Sequence, residues 1–131
     1  MHNILCKIEK AECSIILTDD FVDETTIDIL SLKKNGVKVK VFSRNKLQAN
    51  IRNIRRRSCF KDGFEFFETS GIRDRYLLID GKFLYIMTRG LRYNGKRDYY
   101  YIRILGFDEV ERLKYNLGRL EENAKKYYKQ F

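Results

Sequence analysis

Proline is absent from the 131 residues, and histidine occurs once, at His2. Without proline, and with few clusters of glycine or serine, no stretch reads as a linker. The chain is therefore read as a single domain over residues 1–131, a length that supports one core and not two. No run of about 18 apolar residues occurs, which excludes a membrane-spanning helix; no membrane is expected among its partners. The first residues, Met-His-Asn-Ile-Leu-Cys-Lys, lack the apolar core and small-residue cleavage site of a secretory signal. Cysteine is limited to Cys6, Cys13 and Cys59, without close metal-type spacing. With one histidine beside them, a zinc site is not expected. Reduced thiols, a cytoplasmic location and neither metal nor cofactor are the expectation.

Acidic residues are also in short supply. Lysine and arginine number 27 against 18 aspartates and glutamates, a formal charge of +9. Between positions 29 and 61 there are eleven basic residues and no acidic one. Such an excess suits a polyanion, nucleic acid before membrane, through phosphate neutralisation and counterion release. Arg52, Arg55, Arg56 and Arg57 are the core of this segment, with Phe60, Phe64 and Tyr93 as candidates for stacking on unpaired bases. The plainer reading is a solvated basic face.

The hydrophobic pattern alternates between two periods. Ile4, Leu5 and Ile8 are spaced as on a short helix. Cys13 to Thr18 is a continuous apolar run, as in a strand buried on both faces. Thr18, Asp19 and Asp20 offer N-cap side chains for a helix over about residues 23 to 34, and Asn35-Gly36 is a C-cap signal. Val37 to Phe42 follows as a strand, which makes a βαβ unit with parallel neighbours. Leu47, Ile51 and Ile54 predict a short amphipathic helix with a basic outer face. Phe64 to Glu68 and Tyr99 to Leu105 read as strands, the tyrosines of the latter mainly as core. A long helix is predicted from about Asp108 to Tyr128, with Val110, Leu113, Leu117, Leu120, Ala124 and Tyr127 as its apolar stripe. The sum is an α/β mixed sheet of about six strands flanked by helices.

The most informative stretch is Ile72-Arg73-Asp74-Arg75-Tyr76-Leu77-Leu78-Ile79-Asp80-Gly81-Lys82-Phe83-Leu84-Tyr85-Ile86. Two short aromatic and branched runs meet at Asp80-Gly81, which tolerates the positive φ angles of a type I′ turn and predicts a hairpin. Arg73 and Arg75 alternate, which on one strand points them the same way. An Arg73–Asp80 or Arg75–Asp74 ion pair at a sheet edge is the structural alternative to a site. The run resembles the phospholipase D superfamily, whose signature is His, any residue, Lys, four residues, Asp. Ile15 to Asp23 is similar to that family's first buried strand and the turn after it. Leu91-Arg92-Tyr93-Asn94-Gly95-Lys96 is similar to its Leu-Lys-Asp-x-Gly-Lys segment. The resemblance covers roughly residues 13 to 105.

The resemblance implies a phospholipase D-like fold and, in the family, a histidine nucleophile that forms a covalent phospho-enzyme, with a second copy's histidine as acid. Arg73 stands in the nucleophile's place, Arg75 in the phosphate-binding slot of the lysine, and Asp80 in the aspartate's place. Guanidinium stays protonated and offers no lone pair, so Arg73 cannot attack phosphorus. It does hold phosphate bidentately, as does Arg75. The expectation is a catalytically degenerate phospholipase D-like homodimer that binds nucleic acid or another phosphate polyanion. Its contacts would come from Arg73, Arg75, Lys96, Arg97, Arg52, Arg55, Arg56 and Arg57. Two other readings compete: an active phosphodiesterase or nuclease with a non-standard site, Asp74 and Asp80 being the carboxylates near it, and a dimerisation or protein-interaction module.

Overall fold

The computed structural model describes residues 3–127, in which helices pack on both faces of one seven-stranded mixed sheet. The strands are β1 (Ser14–Asp19), β2 (Lys38–Ser43), β3 (Phe64–Glu68), β4 (Arg75–Ile79), β5 (Phe83–Met87), β6 (Tyr101–Ile104) and the two-residue β7 (Lys125–Lys126). Their order is β6-β5-β4-β1-β2-β3-β7. β1 and β2, and β2 and β3, are parallel, as the βαβ reading requires; the other pairs are antiparallel. α1 (Ile4–Lys10), α2 (Glu24–Leu30) and α3 (Ile51–Arg56) are short, and α4 (Phe107–Asn123) is long.

Side-chain alternation divides the core between the two faces. Ile15 and Leu17 of β1, Val39 and Val41 of β2 and Leu77 and Ile79 of β4 pack with Ile4, Ile8, Ile27 and Ile54 of the three short helices. On the opposite face Leu117 of α4 covers Phe42 and Phe67, whose rings stack at 4.9 Å, while Val110 covers Leu78 and Leu84. Burying a large apolar side chain contributes about 2 kcal/mol, so α4 is fixed chiefly by this stripe.

Local capping chemistry explains where the three short helices begin. Asn3 caps α1 by accepting from Leu5 N–H at 3.0 Å. Asp23 and Thr26 form a reciprocal capping box on α2, and Asn50 caps α3 through the amides of Arg52 and Asn53. Asp80 and Gly81 both have positive φ, 56° and 68°, which makes the β4–β5 joint the I′-type turn that the Asp-Gly pair predicts.

Two boundaries differ from the sequence reading. α2 ends at Leu30 rather than near residue 34, because Ser31 closes it and Gly36, at φ +87°, serves the turn into β2 instead. Its N–H donates to Asp62 Oδ2 at 2.7 Å. α4 stops at Asn123, before the predicted Tyr128, which lies outside the described residues. Ala124 is extended, and the next residues pair antiparallel with Phe67 and Glu68 as a seventh strand. Tyr127 therefore leaves the helical stripe and stands edge-on to Phe66 at 4.8 Å.

Candidate anion-binding surfaces

The parallel strands end where β4 begins, and β1, at the centre of the sheet, delivers Asp19 and Asp20 to that edge. In open sheets this is the crevice where ligands are held. Here it is a cavity of about 470 Å³ whose lining includes Asp19, Asp20, Arg75, Arg89, Arg92 and Tyr93. Arg75 does not stand free in it. Its Nε and Nη2 each donate to the Asp20 carboxylate at 3.2 Å, and Nη1 donates to Thr88 O at 3.3 Å. Burial alone would raise the Asp20 carboxyl, but the hydrogen bonds from Arg75, the hydrogen bond with Asp19 and the Arg75 charge together hold the group below the usual range. The fork that would grip phosphate bidentately already grips a carboxylate.

Neighbouring cations are matched in the same way. Arg92 Nη1 donates to Asp23 Oδ2 at 2.8 Å, and Nη2 donates to Tyr93 Oη at 2.7 Å. Arg89 lies over the Tyr93 ring at 4.0 Å and donates to Arg97 O, so Tyr93 is held by two guanidiniums rather than open for base stacking. Lys96 and Arg97 are exposed beside this loop. Asp19 is fully buried and accepts from the amides of Leu91 at 2.9 Å and Asp20 at 2.8 Å. Burial pushes its carboxyl up to about 7. Gly90 leaves the space this needs, since a Cβ there would meet Asp19 Oδ1 at 2.9 Å. The Tyr99 hydroxyl is buried without a hydrogen-bond partner among the described residues, and burial raises its ionisation above the ordinary range.

The three motif positions do not form one site. Arg73 precedes β4, lies on the loop and lines a separate groove under α4, so the expected same-side alternation with Arg75 fails. Asp80 sits at the far end of β4 and contacts neither arginine. Its carboxylate accepts from the backbone amides of Glu12, Cys13 and Ser14 at 2.7–3.1 Å. Burial works against its ionisation, but those three amides lower the carboxyl below its ordinary range. Both ion pairs offered as alternatives, Arg73–Asp80 and Arg75–Asp74, are absent among the described residues; Asp74 accepts from Tyr76 Oη at 3.1 Å. Asp74 and Asp80, at opposite ends of β4, make no carboxylate pair. His2 lies outside the described residues.

The basic segment behaves differently. α3 directs Ile51 and Ile54 into the core and turns its arginines outward beside β7. Arg52, Arg55, Arg56, Lys61 and Lys126 line a groove of about 440 Å³ in which Glu65 is the acidic member. Arg52 and Lys126 also line an adjoining groove of about 620 Å³ with Lys46 and Lys125. Lys126 pairs with Glu65 at 2.6 Å, and Arg55 Nη2 donates to Tyr127 O at 3.3 Å. Arg52 and Arg56 have no carboxylate within ion-pair distance among the described residues. Arg57 departs from the group and pairs with Asp28 of α2 at 3.1 Å. Phe60 and Phe64 are buried at 2% and 3% exposure and offer no stacking surface.

Asp19, Asp20, Arg89, Lys125 and Lys126 belong to these surfaces, yet sequence reasoning gave the two aspartates to helix capping and passed over the others. Only Asp23 caps. The available signal was position: acidic residues at the carboxyl end of a central parallel strand stand at the mouth of the crevice.

No family model matches the sequence, and no curated protein matches it. Solved structures share the fold. Nuc, a phospholipase D family member from Salmonella typhimurium, superposes with a TM-score of 0.64 at 16% identity, covering 95% of this chain and 88% of that one. NucT from Helicobacter pylori gives 0.67 at 11% identity with the same coverages. TrmBL2, an archaeal chromatin protein described as showing a novel mode of DNA binding, gives 0.58 at 19% identity, over 95% of this chain and 48% of that one. The chain has the phospholipase D fold.

Proposed function

We propose that the chain is a non-hydrolytic phospholipase D-like domain that binds nucleic acid, or another phosphate polyanion, through the face built by α3 and β7. The observation that carries this is the pair of adjoining grooves there, joined by Arg52 and Lys126, where cations outnumber carboxylates and, among the described residues, Arg52 and Arg56 have no carboxylate partner. Phosphate contacts of this kind supply sequence-independent affinity that falls with salt. Arg55 lines the groove with Nη2 committed to Tyr127 O and Nε buried, so its contribution to phosphate would come from Nη1. Lys96 and Arg97 form a second, smaller exposed cationic loop that extends the surface.

Loss of hydrolysis follows from the residue at the nucleophile's place. Arg73 has no lone pair to attack phosphorus, and the neighbouring phosphate slot is closed by Asp20 on Arg75. The likeness to Nuc and NucT supports the fold of this reading, and the likeness to TrmBL2 supports DNA as the polyanion. The reading includes a homodimer; Tyr100, Ile102, Leu105 and Phe107, all more than 60% exposed, form the apolar margin on which a second copy would rest. Sedimentation at a monomer's mass across the micromolar range would remove that part alone.

The test is a salt titration of binding to a short labelled duplex and its single strands, with bis(p-nitrophenyl) phosphate as hydrolysis substrate. Affinity should fall steeply, with a log–log slope of about −3 or steeper for three or more phosphate contacts, and no p-nitrophenol should be released. A flat salt response, or turnover of the substrate, overturns the reading.

A further inference from the structure

A groove of about 510 Å³ runs between α4 and the loop from β3 to β4, on the face of the sheet opposite Asp19 and the Arg75 side chain. It plays no part in the polyanion face. Its floor is apolar, formed by Ile72, Leu117 and Leu120, and the loop is held tight against α4. A Cβ on Gly71 would come within 2.3 Å of Leu120 Cδ2, so a larger residue there would require the Leu120 side chain to shift. The rim is polar in a regular way. Asn116, Arg119 and Asn123 recur at the three-to-four-residue spacing that places side chains on one face of a helix, and Arg73 lines the same groove.

The charges of this rim do not cancel. Arg73 and Arg119 are exposed, and neither has a carboxylate within ion-pair distance among the described residues. The lining carboxylate, Asp74, already accepts from Tyr76 Oη. Asn123 gives its amide N–H to Arg119 O and keeps its carbonyl to accept. Two forked guanidiniums, two carboxamides and an apolar floor of this volume match a ligand with an anionic head and a compact body.

We propose that this groove is a binding site for a small organic anion, a phosphomonoester or carboxylate of roughly nucleotide or sugar-phosphate size, with Arg73 and Arg119 holding the anionic group and Asn116 and Asn123 contacting the body. The site stands apart from the α3–β7 face and does not depend on the polyanion reading. Arg73 is a ligand-binding group here, not a relic of a nucleophile.

The experiment is a two-dimensional amide NMR titration of the full chain with four probes: inorganic phosphate, adenosine 5′-monophosphate, glucose 6-phosphate and citrate. The expected result is saturable shifts confined to residues 71–76 and 113–123, with at least one organic probe binding at a Kd on the order of 1 mM or tighter. Phosphate alone should bind at least tenfold more weakly than that probe, because it leaves the apolar floor empty. Arg119→Ala and Arg73→Ala should each weaken the binding about tenfold, and Asn116→Leu should weaken it while leaving the inorganic-phosphate response unchanged. Arg52→Ala/Arg56→Ala should leave all four titrations unaltered, so this site and the polyanion face fail or stand separately. Shifts centred on α3 and β7, no saturation for any probe, or an Arg119→Ala variant that binds as the wild type would each overturn the assignment. Equal affinity for inorganic phosphate and every organic probe would overturn it as well, since that is a general response to anions.

Discussion

Arginines occupy two regions of this molecule in opposite electrostatic states. At the carboxyl end of β1, Arg75 and Arg92 are matched by Asp20 and Asp23 at 2.8–3.2 Å. Across α3 and β7, Arg52 and Arg56 meet no carboxylate among the described residues, and Glu65 stands among five or more cations. The matched end is the one the sequence motif singles out; the unmatched face has no motif. A guanidinium whose donors are spent on a fixed carboxylate has little to offer a phosphate, because the phosphate must first displace a partner of the same geometry. Availability, rather than identity, separates a binding arginine from a structural one.

Asp80 gives the comparison its largest expected effect. It stands in a motif position but holds three backbone amides together at the start of β1. Asp80→Ala should lower unfolding free energy by about 2 kcal/mol, read by denaturant melts. Below its unfolding transition the variant should bind DNA as the wild type does. A loss of DNA affinity with unchanged stability would place Asp80 in the site and break the comparison.

Asp20→Asn sharpens it. Removing the charge that matches Arg75 should cost about 1 kcal/mol of stability or less, since both side chains are one-third exposed and solvent screens the pair. It should also raise affinity for DNA at low salt, by turning a matched cation into an unmatched one. A fall in affinity would mean that Asp20 serves the ligand rather than restraining Arg75.

The pH dependence separates the two kinds of carboxylate at this end. Asp19 is raised by burial from its ordinary value near 3.8 to about 7, so between those pH values the folded state holds a proton that the unfolded state has released. Stability should therefore decline as pH rises from about 4 to 7 and level off above. Asp20, Asp23 and Asp80 are lowered, so their contributions are present above about pH 4 and are lost as pH falls below it. Asp19→Asn should flatten the upper slope and leave the acid limb intact. An unchanged slope between pH 4 and 7 would remove Asp19 as its source. The smallest effect belongs to Arg57→Ala: its exposed pair with Asp28 should be worth about 0.5 kcal/mol, and DNA affinity should stay within about twofold.

Much of the fold was legible because its determinants are local. The alternation in Val37 to Phe42, the Asn and Asp caps and the positive-φ demand of Asp80-Gly81 each act within a few residues. The site was less legible because its determinants are not. Asp20 reaches Arg75 across 55 positions, and Arg57 reaches Asp28 across 29. A run of cations says nothing of which members find carboxylates in the folded chain. Phe60 and Phe64 illustrate the same limit, since an aromatic flanked by charges reads as a stacking surface until the helix and strand phases turn it inward. β7 was hidden by its length. Two lysines that add to a sheet edge carry no period, and the helical stripe before them runs on through Ala124 and Tyr127.

The central claim is that polyanion binding resides on α3 and β7 and not at the motif arginine. Fluorescence anisotropy with one short duplex at low salt, comparing Arg52→Ala/Arg56→Ala with Arg75→Gln, tests it most directly. The double variant should lose about tenfold or more in affinity and flatten the salt slope by about 2, while Arg75→Gln stays within about twofold of the wild type. The reverse pattern, with Arg75→Gln abolishing binding and the double variant unaffected, would contradict it.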